Sequence, residues 1–231
     1  FPENQQVRFH VMPSTLVVAD MDWKIDSANL LTIDTSTLSF TRFQFANESQ
    51  SISLNGTISK DPKEKLTVAL RNFNLNNFNI ITQRSGLTID GAISGKAQLS
   101  GLYEKPFFTN QLTLANLKVN GVEVGSGELN NTWIPSTRSI QVFGMLQRED
   151  ATSLSVVGEF LPGDDSKQNF NLKAMVDHIP LNVFDPYVKK VMTDVHGTAK
   201  ADITLKGTTK KPEMTGYVVL KEADLLFTYL N

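Results

Sequence analysis

The sequence predicts an all-β fold: one elongated, mostly antiparallel sheet carrying about two short amphipathic helices. Three observations lead there. Apolar and polar residues alternate with a period of two along most of the chain, as in Leu66-Thr67-Val68-Ala69-Leu70. Turn-forming clusters such as Asn120-Gly121 and Pro162-Gly163-Asp164-Asp165 punctuate the alternating runs. A long internal repeat joins the two halves with no linker-like tract between them.

Alternation is the primary signal, because successive side chains of a strand point to opposite faces. It recurs at Leu87/Ile89, Ala97/Leu99, Leu112/Leu114, Ile140/Val142, Leu154/Val156, Phe170/Leu172, Ile203/Leu205 and Val218/Leu220. Each segment therefore has one apolar and one polar face. Parallel strands covered on both sides would read as continuous apolar runs instead. The spacing of the turns predicts roughly fourteen to sixteen strands. Two stretches break the pattern, Leu75–Arg84 and Leu181–Met192. Their apolar residues recur at three and four, which predicts short amphipathic helices, with Pro186 acceptable only near a helix start.

The repeat has a constant offset of 106 positions. It carries Gly91, Leu99, Gly101, Lys105, Pro106, Thr109 and Leu114 onto Gly197, Leu205, Gly207, Lys211, Pro212, Thr215 and Leu220. It also carries Leu66, Leu75, Asn76 and Phe78 onto Leu172, Leu181, Asn182 and Phe184, so the two helix candidates are counterparts. Residues 66–125 thus match 172–231 without a gap, while upstream the register shifts and Gly56 pairs better with Gly158. A unit that buries only one face needs neighbours to share its apolar surface. The expectation is one continuous sheet over 1–231.

Composition narrows the function classes. The 231 residues carry a formal net charge of −2 and no Lys/Arg run, so no footprint for nucleic acid or anionic head groups stands out. There is no Cys, which excludes disulfides, zinc–thiolate sites and thiol nucleophiles. The longest apolar runs, such as Leu16–Ala19, fall far short of the roughly 18–20 residues a membrane helix needs. The chain opens on Phe1-Pro2 and stops at Leu230-Asn231 inside a strand-like pattern, as expected of an excised piece whose targeting segment lies elsewhere.

Catalytic motifs are sparse. His10, His178 and His196 stand at no metal-ligand spacing, and no Gly-x-Ser-x-Gly elbow occurs. Gly91–Gly95 lacks the Lys-Ser/Thr of a phosphate loop, and Gly125-Ser126-Gly127 reads as a short turn. Asp20, Asp22 and Asp26 read as a solvated edge near Trp23, since a Ca²⁺ loop needs more oxygens and a Gly bend. The triplets beginning at Asn47, Asn55 and Asn130 match the glycosylation pattern, which arises freely in an Asn-rich chain. The expectation is a protein that is not an enzyme and uses no cofactor.

The segment from Val195-His-Gly-Thr-Ala-Lys to Lys211-Pro-Glu-Met-Thr-Gly-Tyr-Val-Val-Leu220 resembles the repeats of the TamB/AsmA-like envelope family. There a strand ending in Leu-x-Gly-Thr is followed by a Pro turn and a strand containing Gly. Ile179-Pro180-Leu181 and Phe184 resemble the short helix before that strand. The copy at 87–114 departs from the pattern, with Gly101-Leu102 in place of Gly207-Thr208. The resemblance is clearest over 172–231 and fair over 66–125. It implies a taco-like β-groove with an apolar interior, located in the periplasm of Gram-negative bacteria and tethered to a membrane. It also implies roles in phospholipid transport and in outer-membrane protein assembly, with an outer-membrane β-barrel assembly protein as partner.

The expected groove lining is the apolar parity set: Leu66, Val68, Leu70, Ile89, Gly91, Ile93, Gly95, Leu99, Leu112, Leu114, Leu172, Val176, Gly197, Ile203, Leu205, Val218 and Leu220. Small residues in it leave room for acyl chains, although each single Gly is explained as well by a bend in its strand. Two other readings compete. One is a closed β-sandwich for adhesion or carbohydrate binding, with Trp23 and Trp133 as exposed aromatics. The other is a chaperone-like groove that takes outer-membrane β-strands by edge pairing.

Overall fold

A computed structural model describes residues 6–18, 21–47, 49–101, 107–162, 168–189 and 191–228. Pro106, Lys105, Leu102, Ala19, Asp20, Gly163, Asp164, Asp165 and both chain ends, on which some of the expectations above fall, lie outside them.

The fold is all-β. Its strands are β1 Val7–Phe9, β2 Thr15–Val18, β3 Met21–Ile25, β4 Leu30–Ile33, β5 Leu38–Ala46, β6 Ser51–Ile58, β7 Lys65–Asn74 and β8 Ile89–Ser100. They continue as β9 Phe107–Val119, β10 Val122–Ile134, β11 Ser139–Arg148, β12 Ala151–Phe160, β13 Phe170–Pro180, β14 Met192–Gly207 and β15 Pro212–Phe227. These make a 15-stranded sheet in the order β1-β4-β5-β6-β7-β8-β9-β10-β11-β12-β13-β14-β15, with β3 pairing β2 and β5 off that path. From β4 onward each strand pairs with the next, a meander that short turns can connect. Among the described residues, no pairing joins β15 back to β1.

The Asn120-Gly121 turn between β9 and β10 has positive φ at both residues, 52° and 79°, as a type I′ hairpin turn requires. Each helical stretch is short. A 3-10 turn, Leu75–Phe78, leads into α1, Asn79–Thr82, and ends in a further turn, Gln83–Ser85. Its counterpart is a 3-10 turn, Leu181–Phe184, followed by α2, Asp185–Val188, with Pro186 in its first turn. The second stretch stops at Val188 and not at Met192, which already opens β14.

The residues gather into two compact units built from interleaved stretches. The first comprises Phe1–Phe73, Ile93–Leu112 and Asn130–Ile140; the second comprises Asn74–Ala92, Thr113–Leu129 and Gln141–Asn231. In the first unit, register places apolar residues opposite one another. Phe40, Phe43 and Phe45 of β5 face Gly56, Leu54 and Ile52 of β6, which face Leu66, Val68 and Leu70 of β7. Trp23 is buried there and packs against Phe73 at 5.9 Å between ring centroids.

The second unit is built the same way, with a helical cover. Val124, Leu146, Ile179 and Val183 form one buried cluster, joined by Leu114, Leu117, Leu154 and Val176. Leu181, Val195 and Ala199 form another, with Val188, Met192 and Leu225 against it. The second helical stretch thus lies on the apolar side of the strands. Asn120 ties it down, its side-chain amide donating to the Val183 carbonyl while its oxygen accepts from the Thr88 amide. Among the described side chains of the first stretch Leu75 alone is buried; Phe78, Ile80 and Ile81 are exposed.

Gly125-Ser126-Gly127 is not a turn: it lies inside β10. A Cβ on Gly125 would come within 2.3 Å of the Gln147 carbonyl oxygen, and one on Gly127 within 1.8 Å of that of Met145. Those glycines admit a close neighbouring strand.

Candidate functional site: a one-sided apolar face

The registers of β12 to β15 define a site in the second unit. Gly158 and Phe160 of β12 stand opposite Leu172 and Phe170 of β13; Leu154 and Val156 stand opposite Val176 and Ala174. Leu172, Ala174, Val176 and Ile179 then oppose Leu205, Ile203, Ala201 and Ala199 of β14. Those four oppose Met214, Gly216, Val218 and Leu220 of β15. Residues directly opposite share a face, so four strands present one apolar surface. The reverse face carries Ser155, Lys173, Met175, Lys200, Asp202, Thr204, Thr215 and Tyr217 in the same registers.

Bulges hold that surface together. A strand's apolar set changes faces if one residue is inserted, unless the backbone absorbs it. The pairing of β13 with β14 shifts between Val176 and Ile179, where His178 has φ 53°. The shift moves the apolar parity from even to odd numbers and keeps Ile179 on the face of Val176. Arg42 (φ 50°) does the same between Phe40 and Phe43. Positive φ recurs at Asn72, Asn116 and Glu222, each followed by a change of parity from Leu70 to Phe73, Leu114 to Leu117 and Leu220 to Leu225. Asn72 and His178, Asn116 and Glu222, and Gly91 and Gly197 are pairs separated by the repeat offset of 106, as are the two helical stretches. Strict alternation could not show the bulges, but the three-residue steps between apolar positions in the sequence mark them.

Cover over the face is uneven. The second helical stretch buries Ala199, Val195 and Ile179 near one end of the strands. Leu172, Val176, Ile203 and Leu205 are half-buried. Met214, Val218 and Leu220 of β15 remain 70%, 58% and 47% exposed.

Of the other expected lining residues, Ile89, Gly91, Leu114 and Gly197 also belong to the second unit. Leu66, Val68, Leu70, Ile93, Gly95, Leu99 and Leu112 belong to the first, where Leu66 and Leu112 are buried and the rest half-buried. Gly91, Gly95 and Gly197 have positive φ, and a Cβ on any of them would lie within 2.7 Å of a neighbouring backbone oxygen. Close strand approach accounts for these glycines without any need for space above the sheet.

The reverse face holds the charge. Lys173 reaches Asp202 at 2.9 Å and Lys200 reaches Asp177 at 3.7 Å, and Asp177, Lys200 and Asp202 line a depression of about 250 Å³ together with Met175 and Tyr217. The hydrogen bond from Lys173 to Asp202, with their mutual attraction, raises the pKa of the lysine. His178 pairs with Asp177 and His196 with Asp194, while His10 stands apart on an exposed stretch. No three His, Asp or Glu side chains among the described residues gather as a metal site. Trp23 and Trp133 lie in β3 and β10, not in loops. No helix among the described residues is long and apolar enough to cross a membrane. No family model, curated protein or solved structure matches the chain.

Proposed function

We propose that the apolar face of β12–β15 holds the acyl chains of a phospholipid or related lipid, as a segment of a periplasmic lipid-transport protein of TamB type. The observation that carries this reading is the uncovered end of the face. Met214, Val218 and Leu220 sit in register with half-buried Leu205 and with buried Ala201 and Ala199, so an apolar strip continues from a covered region to open solvent. Acyl-chain burial is favourable by about 0.8 kcal/mol per CH₂, and a chain lying along such a strip removes both apolar surfaces from water. Among the described residues, the ion pairs Lys173–Asp202 and Lys200–Asp177 lie on the reverse face, so the strip itself offers hydrocarbon contact.

The test uses the whole chain, delipidated, with vesicles that carry a phospholipid bearing a fluorescent acyl chain. Uptake of the probe by the protein is expected, with native mass spectrometry showing the bound lipid. Leu205→Asp puts a carboxylate on the strip and should weaken uptake by about tenfold or more, since an unpaired charge in an apolar setting is costly. A circular-dichroism melt shows whether that variant folds. Val218→Asp, at an exposed position, gives a folded second probe. If both variants fold and take up lipid as the parent chain does, the reading is wrong.

A further inference from the structure

We propose that Asn110 and Asn131 form a polar station in the apolar row of the first unit, which takes the hydroxyl group of a hydroxylated acyl chain. This inference rests on the reading of the protein as a holder of acyl chains, and adds to it a second position and a chemical class.

Asn110 interrupts an apolar row. On β9 it shares parity with half-buried Phe108 and buried Leu112, and it is itself 4% exposed. A Cβ on Gly95 would lie 2.9 Å from the Cα of Leu112, so those two residues stand opposite one another. Two residues along each strand, buried Ala97 then stands opposite Asn110. The repeat carries that pair onto Ile203 and Gly216, which are partners in β14 and β15. Glycine serves at the equivalent place, so the repeat itself does not need an amide there.

Asn131 lies on the same face. The two-residue turn Asn120-Gly121 sets Val119 opposite Val122. The apolar parity changes once on each strand, at Asn116 and at Gly125, both of positive φ, so the count across the ladder is unchanged. That count sets Leu112 opposite Leu129 and Asn110 opposite Asn131. Leu129 belongs to the apolar face, because a Cβ on Gly144, which shares parity with buried Leu146, would meet it at 3.4 Å.

Burying an amide without a hydrogen bond is costly, and buried polar groups are therefore nearly always bonded. Buried Asn29, Asn169 and Ser153 follow that rule. Asn29 accepts from the Val11 amide and donates to the Val11 and Asp26 carbonyls. Asn169 donates to the Leu161 carbonyl and accepts from the Thr209 amide, and Ser153 donates to the Val124 carbonyl. Among the described residues, Oδ1 and Nδ2 of Asn110 and Oδ1 of Asn131 have no partner. Asn110 thus offers one donor and one acceptor, and Asn131 a further acceptor. An ester carbonyl, which can only accept, would leave both oxygens unpaired. A hydroxyl donates and accepts at once, and satisfies both atoms of Asn110. Phe108, Leu112 and Ala97 surround it in the row and across it, so the remainder of the chain that carries the hydroxyl is hydrocarbon. Asn131 is half-buried, which leaves the pair reachable from outside.

Competition read by native mass spectrometry on the whole delipidated chain compares octadecanoic acid with monohydroxylated octadecanoic acids that differ in hydroxyl position. At the position that meets Asn110, the hydroxylated acid should bind about fivefold more tightly than the plain acid, the worth of one net hydrogen bond. Asn110→Leu, similar in size and apolar, should reverse that preference. Because Asn110 has no partner among the described residues, the same variant should keep or raise the urea midpoint. Asn131→Leu, at a half-buried position, is a second probe and should reduce the preference without reversing it. Uptake of plain and hydroxylated acids with no preference at any position would overturn the station and leave the lipid reading standing, whereas no uptake of any acid would remove both. A preference that survives Asn110→Leu places the hydroxyl elsewhere and overturns the station. A lowered midpoint for that variant would show the amide to be bonded within the protein, with the same consequence.

Discussion

β14 and β15 are both 16 residues long, lie side by side over thirteen registered pairs, and alternate in the same way, yet their burial is opposite. β14 buries Val195, Ala199 and Ala201, whereas every described side chain of β15 is exposed except half-buried Leu225. β14 has a strand on each edge and the second helical stretch against its apolar side; among the described residues, β15 pairs with β14 alone. Alternation therefore specifies which face is apolar, while neighbours decide whether that face is covered. The chemistry differs accordingly. Alanines suffice where a helix presses on β14, and the larger Met214, Val218 and Leu220 stand where nothing among the described residues does.

The largest expected effect that sharpens this contrast is at the helical cover. Leu181 is 5% exposed, and Leu181→Ala should cost about 2–4 kcal/mol, with a clear fall in the urea midpoint. Leu220→Ala, one strand away on the same apolar side, should cost well under about 1 kcal/mol. Equal losses would mean that β15 is covered after all.

A smaller effect is expected at the seam between the two strands. Gly216 has φ +146°, and a Cβ there would lie 2.0 Å from the Asp202 carbonyl oxygen. Gly216→Val should therefore detach β15 locally, at about 1–3 kcal/mol, and speed amide exchange in β15 more than in β13. Uniform exchange throughout both strands would show instead that β15 unfolds only with the whole.

The smallest effect concerns the charged reverse face. The pKa of Lys173 is raised by its bond to Asp202, so its contribution to stability is complete below the ordinary lysine pKa of 10.5 and is lost as pH rises through the folded value. Both groups are solvated, and the pair is worth little. The melting temperature of the parent chain should fall slightly more between pH 9 and 11 than that of Lys173→Met. An identical fall in both would remove the pair from the account.

Much of this fold was legible because strand geometry has an integer period. Leu66-x-Val68-x-Leu70 and Ile203-x-Leu205 place their faces without knowledge of any partner. Asn120-Gly121 reads as a hairpin turn because few other pairs tolerate two positive φ values. The helical stretches stood out through Leu75 and Leu181, yet their extent did not. The sequence spacing of Phe78, Ile80 and Ile81 suggests a buried stripe, but those side chains are exposed, since two helical turns are too short to seat a full apolar face. Gly125 and Gly127 resembled a turn because glycine marks turns and close strand approach alike, and only the position of Gln147 and Met145 separates the two.

By itself the sequence determined the strand content and the one-sidedness of each strand, both of which follow from local backbone geometry and side-chain parity. Tertiary structure decided the rest. It placed the bulges at Arg42 and His178 that keep the apolar set on one face, because a register exists only between two strands. It decided that Ala199 is covered and Leu220 is not, because burial depends on what packs across the sheet, and no residue carries that information alone.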